Sequence, residues 1–244
     1  MPQKIDPGIP GGTGALDRIL RCVQSVLIEA RGTCPRVTVS WAQTATGAIA
    51  AAGGERAAIS GPESMLLTHH LRAAHDAILV GIQTVISDDP QLSVRLIDRP
   101  QPQPVILDSR LRFPLTARLL DRTDRKPWIF HSSTDISLAN ELEKKGARLF
   151  RTRASLRGLD LQEVLRVLAA QGVKSLMVEG GARVLRAFMD QGLAQQAVVT
   201  ISPSMMEGVQ GPGLPEMTAP VSEILGADTV LWGRLASSEK VLPG

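Results

Sequence analysis

Residues 160–201 read DLQEVLRVLAAQGVKSLMVEGGARVLRAFMDQGLAQQAVVTI, and their pattern decides the fold. Asp160 is placed to cap a helix whose apolar stripe is Leu161, Val164, Leu165 and Leu168, and Gly172 ends that helix. Val173–Val178 then reads as a strand, Glu179-Gly180-Gly181 as a tight turn, and Ala182–Gln191 as a second helix that stops at Gly192. Ala197–Ile201 is a strand again. Strands alternating with helices of about 10–13 residues imply right-handed βαβ units and a mostly parallel sheet flanked by helices.

The same alternation extends upstream. Val37–Trp41, Ala77–Val80, Val105–Leu107, Trp128–Phe130 and Arg148–Phe150 read as strands. Pro62–Ala74, with proline at a first-turn position, and Ile136–Lys145, closed by Gly146, read as helices. Asp228–Leu235 is expected as a last, antiparallel strand at the sheet edge. The stretches 93–104 and 203–220 are rich in Pro and Gly and are expected as exposed loops. Residues 1–15 read as a flexible leader. Residues 16–31 form an amphipathic helix with Leu16, Ile19, Leu20, Val23, Val26 and Leu27 on one face, set to pack on the domain or on a second subunit. The expected organisation is an N-terminal leader and helix over 1–33, then one α/β domain over 34–244.

Composition narrows the function. The 244 residues are 43% apolar and 21% charged, as in an ordinary globular chain. No window approaches the ~20 apolar residues of a membrane span, and the first 15 residues have no signal-peptide core. Cys22 and Cys34 form no disulfide framework or C-x-x-C zinc pair, which points to a reducing, cytoplasmic setting. The net charge of +3 suits an anionic small molecule. The basic residues are scattered and aromatics are only 3%, too few to serve as stacking platforms, so no nucleic-acid partner is expected. No metal motif, serine-hydrolase elbow, Walker loop or zinc-deaminase signature is present.

In an open α/β sheet, ligands bind beyond the carboxyl ends of the strands. Two polar segments fall there. Gly81-Ile82-Gln83-Thr84 with Asp88-Asp89-Pro90 follows the strand at 77–80. Glu179-Gly180-Gly181-Ala182 offers free backbone donors at a helix N-terminus for a phosphate or pyrophosphate, and a carboxylate at the strand tip for the N–H groups of a heterocycle. Arg56, Arg72 and Arg95 are candidates for a phosphate monoester, through forked, charge-assisted hydrogen bonds. Such a site holds few ionisable groups. Hydride transfer fits it, because a nicotinamide cofactor carries the chemistry and the protein supplies binding and orientation.

Taken together, these segments resemble the riboflavin-pathway pyrimidine reductases, the reductase domain of the bifunctional riboflavin deaminase-reductase. The residues that carry the resemblance are Ala42 to Ala50 (AQTATGAIA), Leu71-Arg72-Ala73, Asp76 to Gly81, Thr84-Val85, Asp88 to Leu92 and Val94-Arg95. Pro104 to Ser109, Leu111-Arg112, Pro114, Glu179-Gly180-Gly181 and Ile201-Ser202-Pro203 complete it, over about residues 36–235. The resemblance implies a dihydrofolate reductase-like fold and NADPH-dependent reduction of a ribosylamino-pyrimidine 5′-phosphate to its ribitylamino form. Hydride would reach C1′ of the opened sugar as an imine. The substrate would be either the diaminopyrimidinone or the deaminated uracil.

By the same resemblance, Arg72, Leu92, Arg95 and Glu179 would hold the substrate, with the arginines near its phosphate. Ala42, Thr84, Asp88, Ser109, Gly180 and Gly181 would hold NADPH, and the enzyme would be a homodimer. The chain also departs from the family pattern. Thr46 replaces an Asp, Ala48 a Lys or Arg, and Gly192 to Gln196 (GLAQQ) a G-L-V-D-E segment; Arg56 stands where a substrate-touching Ser is common and would add a phosphate contact. These departures leave open a pterin or dihydrofolate-type reductase of the same fold, or a catalytically altered nucleotide-binding homologue.

Overall fold

The computed structural model describes residues 14–29, 33–52, 59–156 and 158–236. Helix α1 (Ala15–Ile28) leads into strand β1 (Arg36–Thr44) and the short β2 (Ala48–Ala51). Helix α2 (Pro62–Ala74), β3 (Ala77–Gly81), α3 (Ile82–Asp88) and β4 (Gln103–Leu107) follow. After a 3-10 turn at Arg118–Leu120 come β5 (Trp128–His131), α4 (Ile136–Lys144), β6 (Arg148–Arg151) and a two-rung ribbon of β7 (Ala154–Ser155) and β8 (Gly158–Leu159). The last unit is α5 (Leu161–Ala170), β9 (Ser175–Glu179), α6 (Ala182–Asp190), β10 (Gln196–Ser202), β11 (Gly208–Gln210), β12 (Met217–Leu225) and β13 (Asp228–Leu235).

Nine strands form one sheet in the order β12-β13-β10-β1-β9-β3-β4-β5-β6. All pairings from β10 to β6 are parallel; β13 pairs antiparallel with β10, and β12 antiparallel with β13. The sequence dictates both layers. In β3, Ala77 and Leu79 face one side of the sheet while Ile78 and Val80 face the other, so this central strand is apolar on both faces. The α5 stripe Leu161, Val164, Leu165 and Leu168 joins Leu185 and Phe188 of α6 over one face. On the other face α1 and α2 cover β9, β10 and β13, and α3 with α4 covers β3 to β5. The Asp160 cap is as expected: its carboxylate accepts from the Glu163 N–H at 3.0 Å.

Helix α1 docks on the domain itself. Ile19, Leu20, Val23 and Val26 are buried against Leu67, Val198, Val230 and Trp232. A polar chain reinforces this seam. The Gln196 amide donates to Thr38 Oγ1 (2.9 Å) and to the Val23 carbonyl, while Trp232 Nε1 donates to Gln196 Oε1 (2.8 Å). Thr38 also meets His75 Nε2 at 2.8 Å, and His75 Nδ1 faces the Leu71 carbonyl at 2.6 Å. The carbonyl requires a proton on Nδ1, and burial lowers the ring's pKa, which favours the neutral form in which Nε2 accepts from the Thr38 hydroxyl.

Two expectations need correction. Residues 203–220 are not simply an exposed loop: β11 pairs with β2 there, and β12 starts at Met217. As the sheet's outer strand, β12 exposes most of Met217–Leu225, carries Pro220 and is bulged between Thr218 and Val221, so it lacks the apolar alternation that marks a strand. Nor is 93–104 freely exposed. Val94 and Pro102 are buried, and β4 already begins at Gln103. Arg56 lies outside the described residues. Among the described residues no helix is long and apolar enough to cross a membrane.

Candidate active site

Strand β9 lies between β1 and β3, and its last residue, Glu179, pairs with Ser40 of β1. Trp41–Thr44 therefore run past the end of β9, with Ala42 beside Thr200 of β10. This step lies at the carboxyl edge of the sheet. Gly180 and Gly181 turn the chain from β9 into α6 with φ of +70° and +72°, a region that side chains with a Cβ rarely adopt. Thr84 of α3 packs on this turn. A Cβ added at Gly180 or Gly181 would lie 3.4 or 3.5 Å from Thr84 Oγ1. Gly81 is equally constrained, since a Cβ there would meet Val184 Cγ2 at 2.8 Å. No side chain caps α6; the Val184 N–H is taken by the Gly181 carbonyl, and those of Ala182 and Arg183 remain available to an anion.

At the C-terminal end of α3 lies a cavity of about 300 Å³, lined by Arg72, Asp88, Asp89, Leu92, Arg95 and Arg118, among others. It unites Arg72, Leu92 and Arg95, as expected, and it includes Asp88. Glu179 joins it through Arg72, whose Nε and Nη2 donate to the two carboxylate oxygens at 2.7 and 2.6 Å. Burial opposes the Arg72 charge, but Glu179 more than offsets this and the guanidinium pKa is raised.

The wall of this cavity is the segment Gln91–Arg95, entered through Asp89 (φ 40°) and Leu92 (φ 46°), both in the sparsely populated left-handed region. Side chains from elsewhere hold it there. Arg72 Nη1 donates to the Ser93 carbonyl, and Arg122 Nη1 to the carbonyls of Gln91 and Leu92. Gln101 brackets Val94, donating to its carbonyl at 2.7 Å and accepting from its N–H at 2.8 Å. His69 Nδ1 accepts from the Arg95 N–H at 2.9 Å. That role requires an unprotonated Nδ1. Burial, followed by the charges of Arg72 and Arg95, lowers the His69 pKa to about 4.

The remaining expected residues are dispersed along the same edge. Ser109 lies two residues beyond β4, and its carbonyl accepts from both the N–H and the hydroxyl of Ser132. Its neighbour Asp108 is fully buried. Its carboxylate turns toward the N–H groups of Arg110, Arg112 and Phe113 without reaching hydrogen-bond geometry, and burial raises its pKa. Thr46 fastens the β1–β2 turn. Its hydroxyl donates to the Met206 carbonyl at 2.6 Å and meets Thr44 Oγ1 at 2.8 Å. Sequence reasoning passed over Arg118, His69, Gln101 and Arg122. Arg118 is tied in through its backbone: its N–H donates to the Asp89 carboxylate at 2.9 Å and its carbonyl accepts from the Asp121 N–H at 3.1 Å.

Comparison with known proteins gives the family of the chain. The family model described as the RibD C-terminal domain matches residues 35–241. "Riboflavin biosynthesis protein RibD" of Aquifex aeolicus is 38% identical over 173 residues, covering 70% of this chain and 47% of that protein. "2,5-Diamino-6-ribosylamino-4(3H)-pyrimidinone 5′-phosphate reductase" of Methanothermobacter thermautotrophicus is 33% identical over 214 residues, covering 81% of this chain and 96% of that protein. Among solved structures, Acinetobacter baumannii RibD superposes with a TM-score of 0.74 at 26% identity, covering 87% of this chain and 61% of the other. The chain thus spans about half the length of its RibD relatives and nearly all of the archaeal reductase.

Proposed function

The chain belongs to the RibD C-terminal domain family, and on that premise we propose that it is an oxidoreductase of riboflavin biosynthesis. It reduces a ribosylamino-pyrimidine 5′-phosphate to the ribitylamino 5′-phosphate with NADPH. The observation that carries this reading is the Arg72–Glu179 fork beside Arg95, in a cavity next to the Gly180-Gly181 turn. A phosphorylated sugar and a pyrimidine need a cation and an acceptor a few ångströms apart, and this cavity offers both.

Residues toward the two ends of α3 divide the work. Gly180, Gly181 and Thr84, with the uncapped N-terminus of α6, fit the pyrophosphate of a nicotinamide cofactor, because the turn has no Cβ to fill the space. Ala42, Asp88 and Ser109 would complete the cofactor side. The bound nicotinamide supplies the hydride. Glu179 accepts from exocyclic amino or ring N–H groups of the pyrimidine, and Arg72 holds that carboxylate in its orientation. Leu92 closes the apolar wall, and Arg95 takes the phosphate; Arg56 is a further phosphate contact on this reading. We extend the reading to a cytoplasmic homodimer. The free thiols of Cys22 and Cys34 suit a reducing compartment, and the outer strand β12 leaves an unpaired edge for a second copy.

The test is NADPH oxidation by purified protein, followed at the reduced-nicotinamide absorption band. The diaminopyrimidinone and aminouracil ribosyl phosphates are offered side by side, with dihydrofolate as a third substrate. Turnover of one ribosyl phosphate is expected, and replacing Arg95 by Ala is expected to raise its KM at least about 10-fold. Turnover of dihydrofolate alone, or of none of the three, would overturn the assignment.

A further inference from the structure

We propose that Arg118 is a substrate-binding residue that, together with Arg95, forms the cation pair for the phosphate monoester. Arg72 is not the second member of that pair. The inference rests on the reductase reading above and deepens it.

Charge accounting in the cavity supports this assignment. Three arginines line it. Arg72 is already committed: Glu179 takes two of its nitrogens and the Ser93 carbonyl the third. Its positive charge is neutralised in the fork. Arg95 and Arg118 have no carboxylate partner among the described residues, and the Arg95 guanidinium meets only the Ser93 hydroxyl, at 3.1 Å. Burial, then the charges of Arg72 and Arg118, lowers the Arg95 pKa, which places these like charges within electrostatic reach of one another. The nearby acids do not relieve this crowding. Asp88 and Asp89 line the same cavity, but Asp89 accepts from the Arg118 backbone N–H and, among the described residues, neither carboxylate forms an ion pair with Arg95 or Arg118. Two unpaired guanidiniums facing one cavity are complementary to a dianion, which a phosphate monoester supplies.

Arg118 is also held for the task. It opens the 3-10 turn Arg118–Leu120, with Ala117, Leu119 and Leu120 buried on either side, while its own side chain remains exposed. The Asp89 carboxylate fixes its N–H. Arg118 also lines an adjoining cavity of about 530 Å³, which shares Gln91 and Arg95 with the first. Arg95 and Arg118 therefore stand where the two cavities meet. The next arginine, Arg122, is unavailable because Asp124 holds it in a fork of its own.

The test compares Arg118→Gln, Arg118→Lys and Arg95→Ala with the unmodified protein. Two measurements are made: the ratio of kcat/KM for the ribosylamino-pyrimidine 5′-phosphate to that for its dephosphorylated counterpart, and calorimetric binding of ribose 5-phosphate against ribose. In Arg118→Gln the ratio is expected to fall about 10- to 100-fold, through KM rather than kcat, with a matching loss of ribose 5-phosphate affinity. Arg118→Lys retains the charge and is expected to keep more of the ratio than Arg118→Gln. A ratio that moves less than twofold in Arg118→Gln while Arg95→Ala collapses it would leave the reductase reading intact and overturn the role of Arg118. If the unmodified protein reduces neither substrate, the reductase reading fails by itself and the ribose 5-phosphate measurement decides alone. A 10-fold weakening in Arg118→Gln then supports the site, whereas equal binding, or none by the unmodified protein, overturns it.

Discussion

Arg72 of α2 and Glu179 at the tip of β9 meet as a two-point fork, 107 residues apart in the chain, with 13% and 14% of their side chains exposed. Such a pair is costly to break from one side, because the partner left behind is a desolvated, unpaired charge. Replacing either residue by Ala is expected to cost about 3 kcal/mol of stability in urea unfolding. The double replacement should cost clearly less than the sum of the two single ones. Strict additivity would show that the fork is not a coupled unit.

Gln101 contacts neither ligand on the proposed reading, yet it pins the cavity wall through both polar groups of Val94. Gln101→Ala is expected to raise the KM for the pyrimidine substrate several-fold and to cost about 1–2 kcal/mol of stability. The NADPH dissociation constant should move much less. Steady-state kinetics with calorimetric NADPH titration checks this, and an effect confined to kcat would count against a positioning role.

The β3–α3 junction abuts α6 so closely that Gly81 has no room for a methyl group beside Val184. Gly81→Ala is expected to destabilise the protein by about 1–3 kcal/mol. Adding Val184→Ala should recover much of that loss. If the penalty is the same in both backgrounds, as measured by chemical denaturation, the clash with Val184 is not its cause.

Acid should weaken the fold well above the range in which paired carboxylates titrate. His69 has its pKa lowered to about 4 by burial and by Arg72 and Arg95, and burial also lowers that of His75. In the unfolded chain both titrate near 6.5. The unfolded state therefore binds more protons between pH 6.5 and about 4, and stability falls as the pH drops through that window. Asp108, raised by burial, tilts the other way, so the histidine contribution is isolated by a variant. His69→Asn retains an acceptor for the Arg95 N–H but does not titrate. Its urea midpoint should vary less between pH 7 and pH 4.5 than that of the unmodified protein, and an identical slope would be falsifying.

What could be read from the chain depends on how local the physics is. The βαβ order and the Asp160 cap follow from apolar period and capping chemistry within about a dozen residues, and the structure agrees with them. The last strand is antiparallel as expected but not at the sheet edge, because β12 pairs along its outer side. The Glu179-Gly180-Gly181 turn was visible because two consecutive glycines at a strand-to-helix junction meet a local backbone demand. Strand β12 was not visible, because an outer strand with one solvated face and a proline lacks the alternation that identifies a strand.

The sequence by itself determined the alternation of elements, the apolar faces that stack them, and which residue types stand at the strand tips. Each of these follows from neighbours along the chain. Only the tertiary structure decided how the charges are shared. It gave Glu179 to Arg72, left Arg95 and Arg118 without an ion-pair partner among the described residues, and lowered the His69 pKa by burial beside two arginines. Coulomb attraction and desolvation act through space and depend on separation and burial. Those are set when α2, β9 and the loop after β4 are folded against one another.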